Sequence, residues 1–354
     1  MTLIEQIKRG RFLDATCDFS QPFIAEEWTL DSGLHCQLLY RGVLQITPRE
    51  LSSDAKDIVL SSGIHGDETS PIELIQQVAS SILLGHIQPM HRLLLIIAHP
   101  EAVNYQQRFM TENMNRLFQV RNPERNNECC IANALQLAIN SFYGASIAIR
   151  PERWHLDLHC AIRPSQHDTF AISPYTDKQT RSNKLFSFIH HAKLDAVLLS
   201  NTPSPTFAWY SAEYHGAQAL TVELGRVGKI GHNDFTLLAP FKDAMLQLIT
   251  GAALPIIWTS EVAVYQVSRT IIKRHDDFFF TFNDDVANFT FFAEGDDFAI
   301  EGDQTYSAAT GGEAVVFPNQ HVILGQRAVL MVKKANLIFD EQVRVCAIAN
   351  TSYL

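Results

Sequence analysis

Cysteine is sparse in this chain: six in 354 residues, at Cys17, Cys36, Cys129, Cys130, Cys160 and Cys346, with no CxxC pair among them. The adjacent Cys129 and Cys130 cannot chelate a metal as a CxxC pair does. Scattered thiols at this density argue against a disulfide framework and predict reduced, buried cysteines in a cytoplasmic protein. Long apolar runs are lacking too. The strongest, Leu93 to Ala98, falls far short of the roughly 20 residues that a helix needs to cross a bilayer. Met1 to Arg11 is amphipathic and charged and has no apolar core of the signal-peptide kind, so no membrane partner is expected. Basic residues are outnumbered, 28 Lys and Arg against 38 Asp and Glu, for a formal net charge of −10. Broad attraction to nucleic acid is therefore not expected. The pairs Asp276-Asp277, Asp284-Asp285 and Asp296-Asp297 lack the spacing and closing Glu of an EF-hand and read as hairpin turns. There is no internal repeat and no low-complexity linker.

What is present is core material. The chain is long enough for two domains, and a hydrophobic content of 46% supports a full core. Strand signals cover Asp57 to Ile64, Leu93 to Ala98, His155 to His159, Ala196 to Ser200 and Ala219 to Leu224. Between them, helices are expected over Pro71 to Leu84, Thr176 to Ala192 and Phe241 to Ile249. The alternation predicts an α/β fold, a mixed sheet flanked by helices over residues 1–257. From 258 to 354 the texture changes to short strands such as Val262 to Val267, Phe278 to Phe282 and Ala328 to Val332, split by Asp-, Asn- and Gly-rich turns. That segment is expected to form a smaller C-terminal β domain. Its aromatics Phe289, Phe291 and Phe292 sit among acids, which suits core or interface rather than base stacking.

Chemistry concentrates at Ser62-Gly63-Ile64-His65-Gly66-Asp67-Glu68. Ile58, Val59 and Leu60 read as a buried strand, and Gly63 and Gly66 allow a tight turn after it. A helix is expected to start at once, with Ser70 as N-cap, Pro71 at the first helical position and Glu73 closing a capping box. His65 and Glu68 on such a turn can chelate one divalent ion, and catalytic zinc is commonly held by two His and one Glu. Alone, the pair has an equally simple reading as a solvated histidine beside a helix-start acid. A second imidazole is available at His159 in His155-Leu156-Asp157-Leu158-His159. Strand alternation puts Asp157 on the same face as His159, where its carboxylate can orient a ligand. It turns Cys160 to the other face, as core. Glu223, in Leu220-Thr221-Val222-Glu223-Leu224-Gly225, is a carboxylate in an apolar strand, costly unless it has a partner or a task. His65, His159 and Glu223 lie at or just past predicted strand ends, where ligands gather in α/β sheets.

Four blocks in this order resemble the succinylglutamate desuccinylase and aspartoacylase family, a branch of the zinc carboxypeptidase-like hydrolases. They are Gly63 to Glu68; Arg108 with Asn113-Met114-Asn115-Arg116-Leu117-Phe118; Asp157-Leu158-His159-Cys160-Ala161-Ile162-Arg163; and Thr221 to Gly225. The Asp-Leu-His-x-Ala-Ile-Arg string and the β-rich last third are most similar to the desuccinylase branch; Pro164, after Arg163, departs from the pattern. The resemblance implies a zinc-carboxypeptidase-like fold with one Zn2+ per chain on His65, Glu68 and His159, and Glu223 as the catalytic carboxylate. It further implies that Arg108 polarises the scissile carbonyl and that Asn115 and Arg116 grip a substrate carboxylate. Arg163 is a further candidate for a second carboxylate, and Arg226 and Lys229 are weaker ones. Guanidinium matches carboxylate as a planar fork. The implied activity is hydrolysis of N-succinyl-L-glutamate, a small molecule with three carboxylates, to succinate and L-glutamate in arginine catabolism. The alternatives are another N-acyl-amino-acid deacylase of the aspartoacylase kind, or a non-catalytic zinc protein; homo-oligomerisation is left open.

Overall fold

A computed structural model describes residues 1–119, 121–145, 152–339 and 343–347. The first part of the chain comprises α1 (Leu3–Lys8), α2 (Phe12–Cys17), β1 (Glu26–Thr29), β2 (His35–Tyr40), β3 (Val43–Thr47), β4 (Asp57–Ser62), α3 (Thr69–Leu83) and β5 (Arg92–Ile97). Then come α4 (Pro100–Tyr105), α5 (Asn127–Gly144), β6 (Arg153–Ala161), β7 (Thr169–Ser173), α6 (Asn183–His191) and β8 (Ala196–Leu199). The α/β part closes with α7 (Phe207–His215), β9 (Gln218–Arg226) and α8 (Ala239–Thr250).

Every residue of β4 and β5 is buried, which explains apolar runs without alternation: these strands are covered on both faces. β5, β4, β6 and β9 lie side by side and parallel. β3 joins β5 antiparallel, and β7 joins β9 antiparallel. Side-chain alternation divides the core into two layers. Ile58, Leu60, Leu93, Leu95, Leu156, Leu158 and Leu220 pack with α1, α2, α3, α6 and α8. Val59, Leu94 and Ile96 pack on the opposite face with α5 and α7. Each fully buried Leu or Ile contributes on the order of 1.5–3 kcal/mol. Among the described residues no helix is long and apolar enough to cross a membrane.

The C-terminal strands are β10 (Ala263–Ile272), β11 (Phe279–Phe280), β12 (Thr290–Phe292), β13 (Asp297–Glu301), β14 (Gln304–Ser307), β15 (Glu313–Val316), β16 (Arg327–Phe339) and β17 (Val343–Ala347). β10 pairs in parallel with β8, in register Ala263 to Ala196, so the large sheet runs on past residue 258. β16, β15 and β12 extend it antiparallel, while β11, β13 and β14 form a separate three-stranded sheet. Phe289 is buried in this region, whereas Phe291 is exposed.

Several local expectations need correction. Helix α3 begins at Thr69, preceded by Glu68 and without a side-chain cap. Ser70 does not cap it, because its hydroxyl meets Cys160 Sγ and Leu224 O. Glu73 accepts from Gly231 N and Asn233 Nδ2, and so closes no capping box. The helix expected from Thr176 starts only at Asn183, with Ser182 as N-cap. Upstream, Arg181 donates to the carbonyls of Ser173, Pro174 and Ser200, bonds that hold the chain out of a helix. Helices α5 and α7 are additions. The buried side of α5 includes Glu128, Asn133 and Gln136, which interrupt its apolar stripe, and α7 is buried from Phe207 through Ala212, so it shows no helical period.

Candidate metal centre

The turn after β4 is shaped by two glycines with different duties. Gly63 takes φ +69°, a conformation that favours glycine. Gly66 passes so close to α4 that a Cβ there would lie 2.1 Å from Ala102 C. This turn delivers His65 and Glu68 to the end of β6, where His159 lies. All three residues are buried, with one candidate ligand atom from each within 4.8 Å of the others. His65 Nδ1 stands 2.8 Å from Glu68 Oε1, and His159 Nδ1 stands 2.8 Å from Glu68 Oε2.

The outer nitrogens are also engaged. His65 Nε2 lies 3.0 Å from Asn113 Oδ1, and His159 Nε2 lies 3.1 Å from Asp157 Oδ2. Oxygen acceptors at Nε2 hold a proton there, so Nδ1 is the nitrogen that each imidazole can offer to a cation in the cluster, the usual arrangement around a metal-bound histidine. Asp157 is held in turn by Ser61 Oγ at 2.6 Å, and Ser61 bonds His155, which bonds Ser211. Burial lowers His65 to about 4, so that imidazole is neutral. Burial acts in the same direction on His159, but Asp157 and Glu68 outweigh it and hold this imidazole well above the ordinary value. Burial would raise Glu68, yet the two histidines hold it well below the usual carboxylate range. Two carboxylates around two imidazoles make a centre that attracts positive charge. This donor set fits a divalent ion such as zinc.

Glu223 stands opposite His159 in the β6–β9 register. It is buried, its Oε2 has no hydrogen-bond partner, and burial pushes its pKa up to about 7. Arg108 reaches the cluster by donating from one nitrogen to Glu68 Oε1 at 2.9 Å. Asn115 is buried and accepts from Phe207 N, fixing the start of α7. Arg116 is half-buried beside it and donates to Asn115 O. Burial, then the charge of Arg108, lowers Arg116 to about 10. Arg163 donates to Asp284 O in the C-terminal region. Arg226 and Lys229 are exposed. Cys160 packs in the core, as strand alternation requires, and its backbone N donates to Glu68 Oε2.

Sequence reasoning assigned no role to Glu128, although its Oε1 accepts from Met110 N at 2.8 Å and Thr111 N at 2.7 Å, bracing the segment between Arg108 and Asn113. Its position eighteen residues downstream, at the start of an unanticipated helix, gave no signal. Ser61, Ser211 and the bridging role of His155 were hidden for the same reason: only the sheet register and α7 bring them to Asp157.

Residues 54–249 match the model of the succinylglutamate desuccinylase/aspartoacylase catalytic domain, and residues 260–335 match the AstE/AspA barrel-sandwich hybrid domain. A succinylglutamate desuccinylase of Vibrio vulnificus is 46% identical over 94% of this chain and 96% of its own. Solved structures of succinylglutamate desuccinylases from Vibrio parahaemolyticus and Vibrio cholerae are 44% and 42% identical. Each superposes with a TM-score of 0.88, covering 94% of this chain and 98% of the other.

Proposed function

The chain belongs to the succinylglutamate desuccinylase/aspartoacylase family, and from that membership we propose that it hydrolyses N-succinyl-L-glutamate to succinate and L-glutamate, as a zinc enzyme of arginine catabolism. The observation that carries the reading is the buried His65, Glu68 and His159 cluster with the unpartnered carboxylate of Glu223 one strand away. His65, Glu68 and His159 would hold the ion. Zinc in such a site polarises a carbonyl and lowers the pKa of water from 15.7 to about 7.

The protein's own groups do the rest. Glu223, near neutrality in its proton affinity, accepts the proton of the attacking water and returns it to the departing amine of glutamate. Arg108 uses one nitrogen on Glu68, and the remainder of its fork stabilises the oxyanion that develops on the scissile carbonyl. Asp157 keeps His159 in one tautomer. Arg116 supplies a bidentate donor for a substrate carboxylate. The test is a hydrolysis assay on zinc-loaded protein, with release of succinate and glutamate measured for N-succinylglutamate and release of acetate and aspartate measured for N-acetylaspartate. Turnover of the former is expected to dominate; a preference for N-acetylaspartate would move the chain to the aspartoacylase side of the family, and turnover of neither would remove the hydrolase reading.

A further inference from the structure

Arg116 and Arg327 form an unusual pair. Both are half-buried, and among the described residues neither has a carboxylate within ion-pair distance. Burial lowers Arg327 to about 9, with the charge of Arg116 acting the same way and that of Glu223 opposing it. The two guanidiniums therefore feel one another beside the candidate base, and Arg108 lies close enough to depress Arg116 as well. Gathering buried like charges without an anion is unfavourable. Glu223 is an acid whose charge reaches Arg327, yet among the described residues no carboxylate forms an ion pair with either guanidinium.

The mounting of Arg327 is equally specific. It opens β16, paired with Ile272 at the end of β10, and its guanidinium lies 5.6 Å from the ring centroid of Phe317. Phe317 stands at φ +54°, a left-handed conformation that bulky side chains rarely adopt and that tends to occur at ligand sites. Phe317 N donates to Asn288 Oδ1 at 2.8 Å. Asn288 in turn donates to Pro164 O at 2.8 Å and accepts from Gln166 N at 3.1 Å. The platform under Arg327 is thus hydrogen-bonded to the loop that leaves the His159 strand.

We propose that Arg327, carried in by the C-terminal β region, joins Arg116 in a two-guanidinium subsite that grips one carboxylate of the acylated amino acid. The proposal rests on the hydrolase reading above and adds a specificity residue to it. Two forks converging on one carboxylate fix its position, which a single arginine in water cannot do.

The experiment compares wild type, Arg327→Ala and Arg327→Lys, zinc-loaded, on four substrates: N-succinyl-L-glutamate, N-succinyl-4-aminobutyrate, N-succinyl-L-norvaline and N-butanoyl-L-glutamate. Each of the last three lacks one carboxylate. Arg327→Ala is expected to raise KM for N-succinylglutamate roughly 10- to 100-fold, the worth of a charge-assisted contact. Against one of the truncated substrates the variant and wild type should differ little, which identifies the carboxylate held. Equal losses on all four substrates would overturn the subsite. Arg327→Lys keeps charge and stem and should show the same selectivity at smaller amplitude; if Arg327→Ala fails to fold, this variant decides, and unchanged kinetics in it overturn the proposal. Should wild type hydrolyse none of the four, the hydrolase reading fails separately. Calorimetric binding of N-succinylglutamate then judges the subsite: weaker binding to the variants sustains it and equal binding refutes it.

Discussion

Glu223 is a carboxylate that the fold makes costly, and that cost predicts two behaviours. The first is kinetic. Glu223→Gln keeps size and removes the proton acceptor, so the variant should retain zinc, by metal analysis, while turnover falls by on the order of 10² to 10⁴. In wild type only the ionised carboxylate serves as base, so kcat/KM should fall as pH drops through its pKa, near 7 in the protein alone and lower with a cation beside it. The variant's residual activity should lack that limb; loss of zinc with the substitution would instead make Glu223 a ligand. The second behaviour is thermodynamic. Its pKa is raised above the unfolded value, so the folded state holds this proton more tightly and metal-free wild type loses stability as pH rises from about 4.5 to about 7. Metal-free Glu223→Gln should therefore resist urea better than wild type above pH 7, by on the order of 1–3 kcal/mol, with the gap closing below pH 4.5. A gap independent of pH would show that Glu223 is not strained in the fold. At this scale the sequence was informative where chemistry was local: His65 and Glu68 share a turn, Asp157 and His159 share a strand face, and Glu223 stood out as a charge among Val222 and Leu224. Arg327 was illegible because nothing near it in the chain is chemically unusual.

Elements were readable where burial imposes a period and unreadable where tertiary bonds override it. The central strands declared themselves because β4 and β5 are buried on both faces. The start of α3 did not, since Ser70 and Glu73 resemble a capping box but serve Cys160, Leu224, Gly231 and Asn233 instead. The Thr176 to Ser182 stretch has residues compatible with a helix, and the guanidinium of Arg181 pins it by carbonyl bonds that no local pattern reveals. The most exacting element is the turn between β4 and α3. In Gly66→Ala the new methyl meets the backbone of Ala102, its carbonyl carbon at 2.1 Å and oxygen at 2.3 Å. Backbone of α4 cannot rotate away as a side chain can, so the turn carrying both His65 and Glu68 must shift. We expect a loss of about 1–3 kcal/mol in denaturant unfolding together with weakened zinc retention against a chelator. Gly85→Ala, where a Cβ meets nothing within 4 Å, serves as the control: it bears only the strain of its positive φ and should leave zinc binding untouched. Equal zinc affinity in Gly66→Ala and wild type would mean that the turn tolerates displacement.

At the scale of the whole molecule, the strands are shared across residue 258, where the texture of the sequence changes. β10 completes the edge of β8 by parallel pairing. One hydrophobic cluster unites Ala161, Phe170, Ala196 and Leu198 from before that point with Tyr265, Val267, Phe289, Val316 and Val332 from after it. Composition cannot reveal such sharing, because each half is apolar enough to suggest a core of its own. The consequence is testable by ending the chain at residue 257. Removing β10 bares the backbone donors and acceptors of a wholly buried strand, and an uncovered edge of that kind invites pairing with another chain. It also strips the partners from Phe170 and Leu198 and takes away Arg327. The truncated protein should therefore be recovered as aggregate, or as a species that unfolds without a cooperative transition in calorimetry, even though His65, Glu68, His159 and Glu223 all remain. A soluble, monomeric, zinc-loaded 1–257 fragment with wild-type turnover would show that the shared cluster is dispensable, and would remove Arg327 from the substrate site in the same measurement. A fragment that folds and binds zinc but has a KM raised as in Arg327→Ala would assign the C-terminal region to substrate capture alone. We expect aggregation or non-cooperative unfolding because the pairing, the cluster and the arginine all lie on the sheet that β10 continues, so under the proposal above the region that completes the fold also completes the site.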